Sequence, residues 1–275
     1  MNTTVNGLSF DVEDWFQVEN LRGAIKREDW DRMPLRVADS TRSITAALAR
    51  TDTKATFFFL GWVAERLPDL VREISDAGHE IAAHGYGHEL VYRMTPEEFR
   101  QDIRRTKRLL EDLTGKPVLG YRAPSFSITA DSLWAVDVLF DEGFQYDSSV
   151  FPIGFHDRYG LQQFGERPFV WPCGLKEIPL AVAKVAGRNF PAAGGGYFRL
   201  LPYALTRALL RTINSHGNAF AFYMHPWEFD PGQPRVALKA SYRFRHYTNL
   251  SSAMSKLQRL LNDFRFGSMR SAFSI

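Results

Sequence analysis

The chain has 275 residues, 45% of them hydrophobic and 24% charged, with a formal net charge of +3 at pH 7; it is long enough to bury a full core and reads as a soluble globular protein. Its cations are scattered or interleaved with acids, as where Arg100, Arg104, Arg105, Lys107 and Arg108 alternate with Glu97, Glu98, Asp102 and Glu111, a solvated helix face that argues against nucleic-acid binding. No apolar run reaches 18 residues, which argues against a membrane span, and one cysteine, Cys173, allows neither an internal disulfide nor a cysteine-based metal cluster.

The start, MNTTVNGLSFDVEDW, has neither the basic opening nor the apolar run of a signal peptide, so the expected location is the cytoplasm. Leu8–Asp11 reads as a short strand and Val37–Arg50 as a helix. Ala55–Leu60 (ATFFFL) is a buried strand, followed by a helix over Ala64–Ala77 with Leu67, Leu70, Val71 and Ile74 on one face and Gly78 closing it. A strand then runs from His79 to Ala83. Thr95-Pro96-Glu97-Glu98 announces the next helix, with a capping threonine and proline at the first helical position. Val118–Tyr121 is a strand, Asp131–Glu142 a helix and Phe144–Tyr146 a strand. Positions 150 to 200 carry more Gly, Pro and aromatic residues and read as irregular hairpins and loops. Pro202–Ser215 is a helix, Ala219–Met224 (AFAFYM) a last buried strand, and Ser251–Phe264 an amphipathic helix. The βαβα rhythm predicts a parallel sheet or barrel with outer helices, in a single domain over 1–275.

Polar residues gather at the carboxyl ends of these strands, where α/β folds keep their chemistry. His84 and His88, in HGYGH, are four apart; if the loop coils they lie one helical turn apart and can chelate one metal ion. In FDVEDW, Asp11, Glu13 and Asp14 crowd together and would repel without a neutralising cation. With two histidines available, an Asp-His-His site for a divalent metal becomes economical. Period-two alternation puts Asp11 and Glu13 on one side of the strand, whereas a tight turn or bulge would bring in Asp14. Arg122, in GYRAPSF, can reach in to orient a carboxylate. His225 closes the last strand in YMHPWEF.

These segments, in this order, resemble the polysaccharide deacetylases, the family with the NodB homology domain, also called carbohydrate esterase family 4. FDVED, HGYGH, RAP, YDSSVFP at 146 to 152 and FYMHP are the counterparts of the family's five motifs, and ATFFFLGWVAER with GHEIAAHGYGH is similar in wording. DVEDWF, GGGYFRLLP at 194 to 202, HPWEFDP and RHYTNL further resemble the subgroup found in bacterial exopolysaccharide and exosortase gene clusters.

The resemblance implies a distorted (β/α)7 barrel, with a subgroup-specific C-terminal extension from about 226 to 275. It also implies metal-dependent removal of N-acetyl groups from amino sugars of a bacterial polysaccharide or its precursor. On the matching positions, His84, His88 and one of Glu13 and Asp14 would hold a divalent ion, zinc first and Co2+ or Ni2+ next. Asp11 would be the general base, His225 the general acid, and Arg122 the residue that keeps Asp11 ionised. Tyr121, Pro124, Tyr197, Arg199 and Trp227 are the expected substrate contacts, and the partner is an acetylated glycan. The family's adjacent aspartate pair is split here by Val12, and its Ser or Thr after the first histidine is Gly85. Two other functions remain open. One is a metal-independent amide or ureide hydrolase of the same fold; the other is a non-catalytic glycan-binding protein.

Overall fold

The computed structural model describes residues 4–153, 161, 164–185 and 187–275. The chain runs β1 (Val5–Val12), α1 (Val37–Ala49), β2 (Thr56–Phe59), α2 (Gly61–Arg66), α3 (Pro68–Asp76) and β3 (Glu80–Ala83). It continues through α4 (Pro96–Thr114), β4 (Gly120–Tyr121), α5 (Trp134–Asp141) and β5 (Tyr146–Asp147). After these come β6 (Phe169–Val170), β7 (Lys176–Glu177), the hairpin of β8 (Val182–Val185) and β9 (Arg188–Pro191), α6 (Gly195–Leu200) and α7 (Tyr203–Ser215). The last elements are β10 (Ala221–Met224), α8 (Ala240–Tyr247), α9 (Ala253–Asp263), β11 (Arg265–Gly267) and α10 (Met269–Phe273).

The main sheet has the order β10-β1-β2-β3-β4-β5-β7-β6, with β11 beside the first residues of β1. Every neighbouring pair from β10 to β7 is parallel, and β6 alone runs antiparallel against β7. The sheet curls until Leu180, just past β7, bridges Ala221 of β10, with Ala181 N–H donating to the Ala221 carbonyl at 3.1 Å. The strands β10, β1 to β5 and β7 therefore form the distorted seven-stranded barrel, with a seam one bridge wide. No helix of the described residues is long and apolar enough to cross a membrane.

Side-chain alternation along β1 divides apolar packing from chemistry. Phe10 turns to the helical layer, stacked on Phe57 at 5.2 Å. Ser9 and Asp11 lie on the other face, where the Arg122 guanidinium meets both and sits 4.2 Å over the Phe58 ring. Phe58 is the β2 neighbour of Asp11 in register.

The helix α6 lies in a stretch expected to hold hairpins and loops, α8, β11 and α10 stand where no element is expected, and three expectations are corrected. The helix expected over Ala64–Ala77 is two, broken at Leu67 (φ −128°, ψ 56°), because Pro68 lacks an N–H and disfavours helical backbone at the residue before it. The helix expected over Asp131–Glu142 is a 3-10 turn at Ala130–Ser132 followed by α5. The HGYGH loop does not coil, since Gly85 (φ 71°) and His88 (φ 55°) both take left-handed backbone.

Candidate active site

The HGYGH loop is held by groups donated from its neighbours. The first N–H groups of α2 turn onto it: Gly61 N–H donates to the Gly85 carbonyl and Trp62 N–H to the Tyr86 carbonyl, both at 2.9 Å. A helix N-terminus has such donors to spare. From α4, Asp102 accepts Tyr86 N–H at 2.8 Å, and burial lifts its carboxyl to about 6. Arg27 donates to the Gly87 carbonyl. Gly85 suits its place on two counts. Its φ is left-handed, and a Cβ there would come within 3.0 Å of the Asp102 carboxylate.

The loop sets both imidazoles inside the barrel mouth, each at least 95% buried. The His84 Nδ1 lies 2.8 Å from the Arg122 carbonyl, so it is the N–H that donates there and Nε2 is left as the free ligand atom. Burial holds the His84 ring at about 3, a neutral imidazole at any working pH.

Glu13 leaves the end of β1 where the chain turns, its N–H donating to the Asp11 carbonyl at 3.0 Å. The ligand atoms of Glu13, His84 and His88 all lie within 4.8 Å of one another. Glu13 Oε2 is 2.9 Å from His88 Nε2 but has no hydrogen bond of proper geometry, a buried acceptor left to another partner. Burial disfavours the Glu13 charge, but His88 and His225 outweigh it and hold the carboxyl below its usual range. A buried carboxylate beside two imidazoles fits a zinc-type cation. Asp14 is not brought to this cluster. It faces the first turn of α1, where Oδ2 accepts the N–H of Arg36 (2.7 Å) and Val37 (2.9 Å), and Oδ1 accepts that of Trp15 (2.8 Å). Burial lifts its carboxyl to about 6.

Arg122 is fully buried and spends its donors within the site. Nη1 reaches Asp11 Oδ1 at 2.6 Å and Ser9 Oγ at 2.8 Å, Nη2 donates to Ser148 Oγ, and Nε to the Ser148 carbonyl, both at 3.0 Å. Across from it, His225 Nε2 stands 3.2 Å from Glu13 Oε1 and 3.9 Å from Asp11 Oδ2. Its Nδ1 lies 2.8 Å from Glu228 Oε1. Burial opposes a charge on His225, but Glu228, Glu13 and Asp11 together raise it to about 9.

These groups open onto a cavity of about 380 Å³, also lined by Ser125, Phe126, Tyr197, Arg199, Tyr223, Trp227 and Arg245. That size suits a sugar unit. Ser125 and Phe126 are consecutive left-handed residues (φ 51° and 54°), strain of a kind that collects at functional sites. Of the expected substrate contacts, Tyr197 and Trp227 line this cavity, as does Arg199. Tyr121 and Pro124 do not. The Tyr121 ring is buried between Phe99 and Phe144, 5.7 Å from each, and Pro124 is buried behind the loop. The Arg199 guanidinium is taken up by Glu228 and by backbone carbonyls. The two N–H groups that follow Tyr121 are occupied: Arg122 donates to the Ala83 carbonyl and Ala123 to Ser149 Oγ.

Sequence reasoning missed Glu228. Its signal was present in His225-Pro226-Trp227-Glu228: proline at the first helical position and an acid three residues past the cap form a capping box, which turns that carboxylate back onto the capping residue.

The profile of the polysaccharide deacetylase family matches residues 29–139, and that of a domain of unknown function, DUF3473, matches residues 148–274. A peptidoglycan deacetylase of Helicobacter pylori is 37% identical over 107 residues, which are 38% of this chain and 35% of that protein. This chain thus spans about a third of that relative. Among solved structures, one from Mycobacterium smegmatis described as a polysaccharide deacetylase superposes with a TM-score of 0.67 at 21% identity, covering 100% of this chain and 90% of the other. A family 4 carbohydrate esterase from Streptomyces lividans gives 0.53 at 17% identity, covering 100% and 96%. At these identities the structures support the fold.

Proposed function

We propose, for a chain that belongs to the polysaccharide deacetylases of the NodB or carbohydrate esterase 4 type, that it is a metal-dependent hydrolase removing N-acetyl groups from amino sugars of a bacterial polysaccharide or its precursor. One observation carries this reading: Glu13, His84 and His88 bring ligand atoms within 4.8 Å of one another, with His225 Nε2 3.2 Å from Glu13 and 3.9 Å from Asp11. Curated relatives that match part of the chain are peptidoglycan deacetylases by name, which supports an N-acetylated glycan as the substrate.

Glu13, His84 and His88 are the ligands in this reading, with zinc first among the candidates. When bound, the cation supplies Lewis-acid chemistry toward the acetyl carbonyl and lowers the pKa of water beside it. Asp11 takes a proton from the attacking water. Its oxygen Oδ1 is held by Arg122 at 2.6 Å, which fixes the carboxylate and leaves Oδ2 on the side of His225. As the water oxygen bonds to the acetyl carbon and the carbon–nitrogen bond breaks, His225 Nε2 gives its proton to the departing nitrogen. Acetate and a free amine result. The sugar ring lies against Tyr197, whose apolar face and polar edge suit a pyranose; the Trp227 ring is stacked on His246 at 4.4 Å and on His225 at 5.5 Å and serves as the wall behind them. The test is acetate release from N-acetylated oligosaccharides by the purified chain. Release that requires an added divalent ion supports the reading; release unaffected by stripping the metal refutes the ligand assignment.

A further inference from the structure

The acid side of the site rests on two buried ionic groups that the reaction above does not use. Glu228 is 0% and Arg199 1% exposed. Glu228 Oε1 meets His225 twice, accepting its backbone N–H at 3.0 Å and lying 2.8 Å from Nδ1. Glu228 Oε2 accepts Arg199 Nε at 2.6 Å. The remaining Arg199 donors are fixed on main-chain carbonyls: Nη1 on those of His246 (3.1 Å) and Thr248, Nη2 on that of Arg245 (2.9 Å). The backbone carrying Arg199 is itself tied down, because Lys256 Nζ donates to the carbonyls of Phe198 (2.9 Å), Arg199 (2.8 Å) and Leu201 (2.8 Å).

The glycines at the start of α6 belong to the same arrangement. A Cβ on Gly195 would run into the Glu228 carboxylate, and one on Gly194 into the Tyr223 ring. The backbone of α6 therefore passes close over this carboxylate only because no side chain intervenes. A buried ion pair kept only to join loops has no need to place one oxygen on an imidazole nitrogen. Glu228 does so, and Arg199 fixes its other oxygen.

We infer that Glu228, braced by Arg199, is the positioning residue of His225, so that residues 148–274, the stretch matched by the domain of unknown function, supply both the acid and the groups that hold it. Nδ1–H is held on Glu228, so Nε2 faces the substrate nitrogen and carries the transferable proton. Glu228 takes no proton in the step; its charge pairs with the imidazolium before transfer, and its hydrogen bond keeps the ring oriented afterwards. The base half of the site (Asp11, Arg122, Glu13 and the two loop histidines) comes from the first half of the chain, and the acid half from the second. The inference rests on the deacetylase reading above.

Two readouts on the whole chain test it. The first is acetate release by zinc-loaded Glu228→Gln and Arg199→Lys; the second is the hydrogen-bonded ring N–H proton of His225, followed by NMR. Glu228→Gln, nearly isosteric, is expected to lower kcat by about 10- to 100-fold, the range for lost orienting partners. KM should stay within about twofold, and the ring proton should move upfield as its acceptor loses charge. Arg199→Lys should lose less kcat than Arg199→Met, because it keeps the cation beside Glu228. Wild-type kcat in Glu228→Gln, or an unmoved ring proton, overturns the inference. If the wild type releases no acetate, the deacetylase reading fails, while the ring proton still decides whether Glu228 holds His225. Should Glu228→Gln not fold, the Arg199 pair and the wild-type ring proton carry the test.

Discussion

Exchanging Asp14 for asparagine separates a helix cap from a metal ligand. Asp14 is 1% exposed and serves three backbone donors, Trp15 on one oxygen and Arg36 and Val37 on the other. Asparagine has a single acceptor oxygen, so at least one buried N–H loses its partner, at about 1–3 kcal/mol for each orphaned donor. Opposing this is relief from burying a charge. The Asp14 carboxyl is raised from 3.8 to about 6, so ionising it in the folded chain costs about 3 kcal/mol at neutral pH. The two effects nearly cancel at pH 7, where Asp14→Asn should melt within about 5 °C of wild type. The sign with pH is definite. A raised carboxyl contributes stability that is complete below about 4 and lost as pH rises through about 6. Wild type should therefore lose stability relative to the variant across that window. Zinc affinity, measured by calorimetry, should be within threefold of wild type for Asp14→Asn and at least tenfold weaker for Glu13→Gln. Equal loss of zinc in both variants, or loss in Asp14→Asn alone, would refute the assignment.

Other outcomes follow from the same geometry. His225→Ala should keep its zinc stoichiometry and lose about 10²- to 10⁴-fold in kcat, the usual worth of a general acid; metal analysis beside acetate release checks both halves. In wild type the alkaline limb of kcat should lie above the ordinary histidine value, because Glu228, Glu13 and Asp11 raise His225, and a cation on Glu13 should draw it back toward that value. Protonated acid, and with it activity, is lost above that limb, which a pH–rate profile locates. Arg122→Met strands the Asp11 charge in a buried site and should destabilise the fold by about 3–5 kcal/mol. Adding Asp11→Asn should recover part of that loss in denaturant melts. Asp147 and Glu177 face each other in register on β5 and β7, both fully buried; burial raises Asp147 to about 6, and burial together with the Asp147 charge raises Glu177 well above its usual range. A raised carboxyl loses its contribution to stability as pH rises from its ordinary value through its raised one, so Glu177→Gln should flatten the decline in melting temperature once pH passes the ordinary carboxyl range.

The sequence revealed the sheet and most of the site because both are periodic or local. Alternation in FDVED turns Asp11 inward on β1, but Glu13 lies past the strand's last residue, Val12, and reaches the imidazoles from a turn that period two does not describe; a strand ending in HGYGH places paired imidazoles at the barrel mouth. Proline at 68 should have split the helix expected over Ala64–Ala77, since it removes a donor and restricts Leu67. The tasks of Asp14 and Arg199 depend on what lies opposite them. Asp14 caps a helix that begins more than twenty residues later, and Arg199 binds carbonyls of the 245–248 segment; spacing within either motif carries no trace of these partners. Tyr121 was misread for a related reason. It adjoins a site residue in sequence, yet strand alternation sends the ring of Tyr121 into the helical layer while Arg122 turns inward.

The central claim is that Glu13, His84 and His88 hold the ion on which deacetylation depends. The most direct measurement is acetate release from an N-acetylated oligosaccharide by metal-stripped protein titrated with zinc. The account predicts no release from the stripped protein and a rise to a plateau at one equivalent, absent in His84→Ala. Full release by the stripped protein, or a zinc-dependent rise that survives in His84→Ala, would contradict it.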